Sequence, residues 1–368
     1  MEIKQRQDRA RKLMENNNFG ALVVASPENI QYLTGVIEPS IHTCGIAVIP
    51  QQDQATLAVM WLDKAAAELQ SNDFSVQAYT ADTRAVTVIN ILERLGIRKG
   101  KIGMDGHALG GLGNALTTKL PNVEFVNASN RVEELRWIKS AEEINQIQKA
   151  CQIADQGMQT ALESIKPGMT EIQIASIAEQ QMVQLGAENK MKHATFVASG
   201  LRAGFVHPIA SEKKVAQGDL VAIDLGAVFQ GYCSDLARTY VVGKPQGGFE
   251  EDFNTLYDAQ QAVLRLLRPG ISMQKIETTA HEVTKATGCQ LIGHIGHSIG
   301  LKVEEHPRLR TIRTPYPNVK LQKNMVIAFF QSMIQSKRSL GIRLEDTIVI
   351  TDSGAKFLTV HPRELFSQ

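Results

Sequence analysis

The sequence predicts an α+β chain in two parts. A smaller α/β unit spans residues 1–130, and an α+β domain written twice over spans residues 131–368. Three observations carry this. Strand-like and helix-like segments alternate through the first third of the chain. From Ser140 the pattern changes to long amphipathic helices. Pro167, Gly168 and Gly186 then recur 102 residues later as Pro269, Gly270 and Gly288, and three landmarks at one offset argue for an internal duplication with a pseudo-two-fold axis.

The elements follow in order. Residues 20–25 read as a buried strand, and Ser26-Pro27 as a cap and first-turn proline for a helix carrying Ile30, Tyr32 and Leu33. Residues 46–49, 56–61 and 101–104 read as further strands and 86–95 as a helix, and the α/β unit closes near 125–126. The GGLG run at 110–113 lacks GxGxxG spacing and any aligned helix signal, so it reads as a loop, not a nucleotide site. Ser140 with Glu143 makes a capping box before apolar positions 144, 147, 151, 154, 158, 161, 162 and 165. Lys166-Pro167-Gly168 stops that helix. Thr170 with Gln173 opens a second, which Gly186 ends. The same order returns in a helix through Phe253, Leu256, Val263 and Leu267, a stop at Pro269-Gly270, and a helix opened by Ser272 and ended by Gly288. Each helix pair precedes a strand-rich stretch: 219–227 and 234–242 around a turn at 229–232, then 325–332 and 342–350. The expected architecture is a sheet packed against four helices.

Composition narrows the function. A length of 368 residues suits two domains at about 150 residues each. With 43% apolar and 21% charged residues the chain can bury a sizeable core. Thirty-nine basic against 38 acidic residues leave a net charge of +1, which supplies no broad field for nucleic acid or an acidic membrane. The longest apolar run, 325–330, is far short of the roughly 20 residues a spanning helix needs. The polar first dozen residues carry no secretory signal. Cys44, Cys151, Cys233 and Cys289 are scattered and form no CxxC pair, which argues against a disulfide scaffold or a cysteine zinc knuckle. The expectation is a cytoplasmic globular protein without nucleic-acid or membrane partners.

Chemistry concentrates in a few residues. Asp224 and Asp235 sit on the arms of the first hairpin with a midpoint of 229.5, inside the turn, so they are expected to face each other with Cβ atoms roughly 5 Å apart. Two carboxylates that close in an apolar sheet require a cation or a proton between them. By spacing alone, a divalent metal and the plainer arrangement (one solvated acid, one paired with Arg238) stand level. In the second hairpin Phe330 falls where the first has Asp224, and Glu345 falls near the place of Asp235. His207 precedes Pro208, and the glycine-flanked run 293–300 (GHIGHSIG) carries His294 and His297. Glycine neighbours let an imidazole approach a ligand closely.

These residues resemble the creatinase, aminopeptidase P and prolidase group, with its pita-bread fold. The likeness covers nearly the whole chain. It runs through 21–36 (ALVVASPENIQYLTGV), 135–150 (LRWIKSAEEINQIQKA), the first metal hairpin at 219–240 (with DLGAVFQGYCSDLARTY), the metal-histidine loop at 296–301 (GHSIGL) and the closing strand at 341–347 (GIRLEDT). The resemblance implies metal ligation by Asp224, Asp235, His297 and Glu345, with Asp235 and Glu345 bridging where two ions are present. It implies that His207 assists the scissile amide and that Arg343 lies beside the closing ligand. His207 and Glu304 are thus the candidate catalytic residues, and Arg343 and Phe330 the candidate substrate contacts. A short peptide or small amide substrate and a homodimer are also implied.

The departures from the family pattern bear on the chemistry. Phe330 replaces a glutamate that is both ligand and proton carrier, and Gln331, one residue on, points to the other face of a regular strand. Glu304 stands where a histidine usually precedes Glu305. His306 comes just before Pro307, and Gly293 holds another histidine position with His294 one place displaced. Asp235, Glu345 and His297 remain as a two-carboxylate, one-histidine face able to hold Mn, Co, Zn or Fe, as one ion or a weakened pair. Three readings follow: a C–N hydrolase of the Xaa-Pro dipeptidase or aminopeptidase P kind on an incomplete centre; a creatinase-like, metal-independent amide or amidino hydrolase using His207; and a non-catalytic binding protein on a peptidase scaffold.

Overall fold

The computed structural model describes residues 2–37, 45–70, 73–188, 194–245, 247–310, 319–336 and 340–367. Cys44 lies outside them. The chain divides into two compact units, Met1–Arg136 and Trp137–Gln368.

The first unit runs α1 (Glu2–Asn17), β1 (Phe19–Val24), α2 (Pro27–Thr34), β2 (Ile46–Pro50), β3 (Ala55–Met60), α3 (Lys64–Leu69), β4 (Phe74–Tyr79), α4 (Arg84–Arg94), β5 (Gly100–Met104), α5 (Gly111–Lys119), β6 (Val123–Asn127) and α6 (Ser129–Glu134). Its six strands form one mixed sheet in the order β4-β3-β2-β1-β5-β6. Central strand β1 is wholly apolar beyond Gly20 because it is covered on both faces, its inward set joining Val48, Ile91, Ile102 and Leu116 in one core. Pro27 takes the first-turn position of α2, whereas Ser26 makes no side-chain cap bond. Two elements depart from expectation. The GGLG run is not a loop but the opening of α5, whose buried Leu112, Gly113 and Leu116 give too short a stripe to show periodicity. Helix α1 escaped notice because its inner face includes Arg6 and Gln7. The Arg6 guanidinium lies 4.8 Å from the Tyr32 ring centroid, and Gln7 donates to the Leu33 carbonyl.

In the second unit two helix pairs stand beside strands. The first is α7 (Ala141–Ser164) and α8 (Glu171–Gln184), followed by β7 (Phe196–Ser199), β8 (Leu220–Leu225), β9 (Val228–Phe229), β10 (Tyr232–Cys233) and β11 (Leu236–Val241). The second is α9 (Phe249–Leu264) and α10 (Met273–Ala286). It is followed by β12 (Gln290–Ile292), β13 (Gly296–Ser298), β14 (Glu305–Arg308), β15 (Val326–Phe329), β16 (Met333–Gln335), β17 (Leu340–Arg343), β18 (Asp346–Thr351) and β19 (Gly354–Phe357), with β20 (Phe366–Ser367) at the end. Capping boxes at Ser140/Glu143 and Thr170/Gln173 are present, and Ser272 accepts from the Lys275 N–H.

The repeat is visible in its smallest device. Gly168 and Gly270 both have φ +92°, a conformation that favours glycine. Gly168 N–H donates to Val215 O, and Gly270 N–H to Leu321 O, each at 2.8 Å. The answering bonds run from Val215 to Met169 and from Leu321 to Ile271. The principal sheets have the orders β20-β11-β8-β7 and β14-β13-β15-β18-β19, with a smaller β12-β16-β17 sheet. A bridge between Ala237 and Glu345 joins them, with backbone bonds of 3.2 and 3.1 Å in the two directions. That seam brings the chemistry of the two halves together.

Candidate metal centre

Hairpin register sets the first pair of acids. Gln230 and Gly231, with φ of 47° and 80°, form the two-residue turn whose positive φ values match strand twist. Phe229 therefore faces Tyr232, and Ala237 rather than Asp235 faces Asp224. The expected direct opposition of the two aspartates is corrected by this register. Turn centre 230.5 displaces Asp235 by two residues, to just before β11. Two residues preserve the side on which a strand residue projects. The Thr347 hydroxyl holds Asp235 by its backbone, accepting from Asp235 N–H at 3.0 Å and donating to Asp235 O at 2.8 Å.

Glu345 arrives from the second half between β17 and β18. Arg238, fully buried, fixes it. Its Nη1 donates to the carbonyls of Glu345 (2.7 Å) and Ala237 (2.8 Å), its Nη2 to Asp346 Oδ1 (2.8 Å) and His361 O (2.7 Å), and its Nε to Pro362 O (2.8 Å). Arg238 is thus the partner of Asp346, not of Asp224 or Asp235 as the plainer sequence reading had it.

His297 comes from β13, opposite Ala328 of β15. Gly296 beside it is obligatory, since a Cβ there would meet Ala328 O at 2.3 Å. The His297 Nδ1 lies 3.1 Å from the Ser298 carbonyl, which only accepts, so Nδ1 carries a proton and Nε2 is the ring nitrogen left to offer a lone pair to an ion. Nε2 lies 3.6 Å from Asp235 Oδ2. One ligand atom each from Asp235, His297 and Glu345 lie within 4.8 Å of one another, and all three residues are buried.

Acceptors directed at one point repel unless a cation or proton stands between them. Burial, followed by the charges of Asp235 and Asp224, pushes the Glu345 carboxyl well above its ordinary range, while Arg343 opposes the rise. His297 Nε2 and Glu345 Oε1 are buried with no hydrogen-bond partner among the described residues. Two carboxylates and an imidazole converging in a buried pocket fit a divalent transition ion.

The other candidates surround this group. Asp224 stands outside the 4.8 Å set, and its Oδ2 accepts from Arg343 Nη1 at 3.1 Å. Arg343 Nη2 also donates to the carbonyls of Phe205 (2.5 Å) and Val206 (2.8 Å), just before exposed His207, whose ring lies 5.9 Å from Phe196. Gly341 (φ +89°) permits this packing; a Cβ would fall 1.7 Å from Ala203 O. Phe330 also has positive φ (71°), which is rare for a bulky residue. Its ring is fully buried in the core, edge-on to Phe329. Glu304 Oε1 lies 3.1 Å from His294 Nε2 and 2.9 Å from Arg308 Nε. Burial and then the nearby His297 lower the His294 pKa to about 3, so His294 is neutral. The His306–Pro307 bond is cis. Sequence reasoning missed Thr347, the Arg238–Asp346 pair, and the buried Lys139, whose Nζ lies 3.2 Å from both Ser298 Oγ and Glu305 Oε2. Their partners are more than 100 residues distant, so no local pattern marks them.

Residues 145–352 match metallopeptidase family M24, and residues 6–138 match the creatinase/prolidase N-terminal domain. The chain belongs to metallopeptidase family M24. Xaa-Pro dipeptidase of Pyrococcus furiosus is 33% identical over 365 residues, covering 99% of this chain and 100% of the relative. The crystal structure of the prolidase from Pyrococcus horikoshii OT3 superposes with a TM-score of 0.86 at 32% identity, covering 98% of this chain and all of that one. Xaa-Pro dipeptidase from Bacillus anthracis gives a TM-score of 0.88 at 27% identity over the full length of both chains. The family and fold expected from the resemblance are borne out: a creatinase-type N-terminal domain precedes an M24 pita-bread domain, and this M24 protein is a peptidase-like hydrolase. Among the described residues no helix is long and apolar enough to cross a membrane.

Proposed function

We propose that this M24 hydrolase cleaves the C–N bond of short peptides ahead of proline, with Xaa-Pro dipeptides as the substrate class. A divalent ion (Mn, Co, Zn or Fe) is held by Asp235, His297 and Glu345. The observation that carries this reading is the convergence of those three buried ligand atoms within 4.8 Å. The names of the full-length relatives support the substrate class. A bound ion of this kind acidifies water and polarises a carbonyl.

The protein's own residues supply the rest. Asp235 and Glu345 hold the anionic side of the site, and Ser298 O keeps His297 in the tautomer with a free inward lone pair. Arg343 fixes the backbone before His207, which in this reading hydrogen-bonds the peptide. Glu304, joined to His294, moves the proton in place of the carboxylate that Phe330 lacks. Losing a well-placed acid–base group commonly costs about 10²- to 10⁴-fold in rate, so turnover below that of a complete centre is expected. A cytoplasmic location and a homodimer belong to the same reading and rest on the family resemblance.

The test is an assay of Xaa-Pro dipeptides, Xaa-Ala dipeptides and a creatine-like amide on protein chelated and then reloaded with Mn²⁺ or Co²⁺. Free proline should appear only with metal and should vanish in Asp235→Asn. Undiminished turnover after chelation, or cleavage of the creatine-like amide alone, overturns the reading.

A further inference from the structure

Side chains alternate along β15, and the alternation breaks at its end. Ile327 and Phe329 enter the core, whereas Ala328 faces the other way, opposite His297. An unbroken strand would put residue 330 on the His297 side. Instead Phe330 has φ +71°, and its ring joins the same core, with centroids 5.5 Å apart from that of Phe329. Ile295, whose carbonyl accepts from the Phe330 N–H at 2.6 Å, enters that core as well.

Pairing carries on through the break with no residue inserted on either strand. Gly296 lies opposite Phe329 and Ile292 opposite Met333, so Gln331 falls opposite His294. The Ser332 hydroxyl donates to His294 O at 2.9 Å, in keeping with that register. Cross-strand partners project to one side of a sheet. The His294 and His297 ring centroids are 5.6 Å apart, so Gln331 shares the side of the metal histidine. A regular strand would have turned Gln331 away; the left-handed turn at Phe330 brings it in. Gln331 Oε1 is buried with no hydrogen-bond partner among the described residues. A buried acceptor left unmet is costly, and a carbonyl-type oxygen suits an ion such as Mn²⁺.

We propose that Gln331 is a fourth protein ligand of this centre, its amide oxygen standing where the carboxylate absent at Phe330 would act. The amide is neutral, so it holds an ion without taking over proton transfer from Glu304. This deepens the metal reading above and rests on it.

The experiment is Mn²⁺ titration of chelated full-length protein by calorimetry, with the visible absorption of the Co²⁺-loaded protein. Gln331→Leu keeps the side chain's size and removes the oxygen. It should weaken Mn²⁺ binding by about tenfold or more and alter the cobalt spectrum. Gln331→Glu places a carboxylate at the same point and should tighten binding by about tenfold. Phe330→Glu sends its carboxylate into the core and should not tighten binding. Unchanged affinity in Gln331→Leu overturns the proposal and leaves the metal reading intact. So does weaker binding with an unchanged cobalt spectrum, which would place the effect at a distance. Gln331→Glu that fails to tighten binding, or Phe330→Glu that tightens it, overturns it in the same way. A wild type that binds neither ion overturns both readings.

Discussion

At Arg238 five donor hydrogens meet five oxygens, and the residue has no solvent exposure at all. It sets the backbone of Glu345 and neutralises Asp346, so it positions the centre without entering it. A buried pair contributes little net stability against an apolar pair of equal volume, but removing one member strands the other charge. Arg238→Met in metal-free protein is therefore expected to cost about 3–5 kcal/mol in a urea titration, and Arg238→Met/Asp346→Leu distinctly less. Equal losses in the two variants would show that the guanidinium acts through its carbonyl contacts alone. The same residue marks what the sequence can and cannot tell. Asp235, His297 and Glu345 were legible because acids and glycine-flanked histidines in apolar strands require a partner. Which arginine pairs with which acid was not, since a two-residue change of register and contacts across more than 100 positions decide it.

At the scale of elements, α7 locks the end of the chain. Asp155 accepts from the N–H groups of Val360 and His361, Gln148 donates to Leu358 O, and Gln159 Oε1 lies 3.1 Å from His361 Nε2. An amide oxygen only accepts, so Nε2 carries a proton. Burial first, then the neighbouring Arg238, lower the His361 pKa to about 4 from 6.5. The folded form thus binds this proton less readily than the unfolded chain. The stability it contributes is present above pH 6.5 and is lost as pH falls from 6.5 towards 4. Denaturant titrations from pH 8 to 4 should show wild type losing stability relative to His361→Gln across that window, by up to about 1.4 kcal/mol per pH unit. A constant difference would mean that the fold leaves the His361 pKa where it is in the unfolded chain. Asp155, whose pKa burial raises, acts in the opposite sense in both proteins and cancels in the comparison. The caps of α7, α8 and α10 were readable because Ser140, Thr170 and Ser272 act within three residues. Helix α5 and the polar inner face of α1 were not, because each is stabilised by its neighbours rather than by its own pattern.

On the scale of the whole molecule, each unit buries its own core, and every residue of the proposed centre belongs to the second. Ligand binding to a folded state stabilises only what unfolds together with the site. The two tryptophans separate the units: Trp61 lies in the first at 59% exposure and Trp137 in the second at 9%. In Trp61→Phe the remaining indole therefore reports on the second unit alone. Saturating that unit at about one hundred times the dissociation constant for Mn²⁺ adds about 2.7 kcal/mol. For a unit of this size that raises the midpoint by roughly 5–10 °C. Calorimetry of the full chain should show one transition moving with metal, coincident with the Trp137 fluorescence change, and one that stays in place. The stationary transition is the N-terminal core, which holds none of the three ligands. Two transitions moving together would mean that the units unfold as one cooperative body, so that the energy of metal binding at the seam between β11 and β18 spreads through the entire chain.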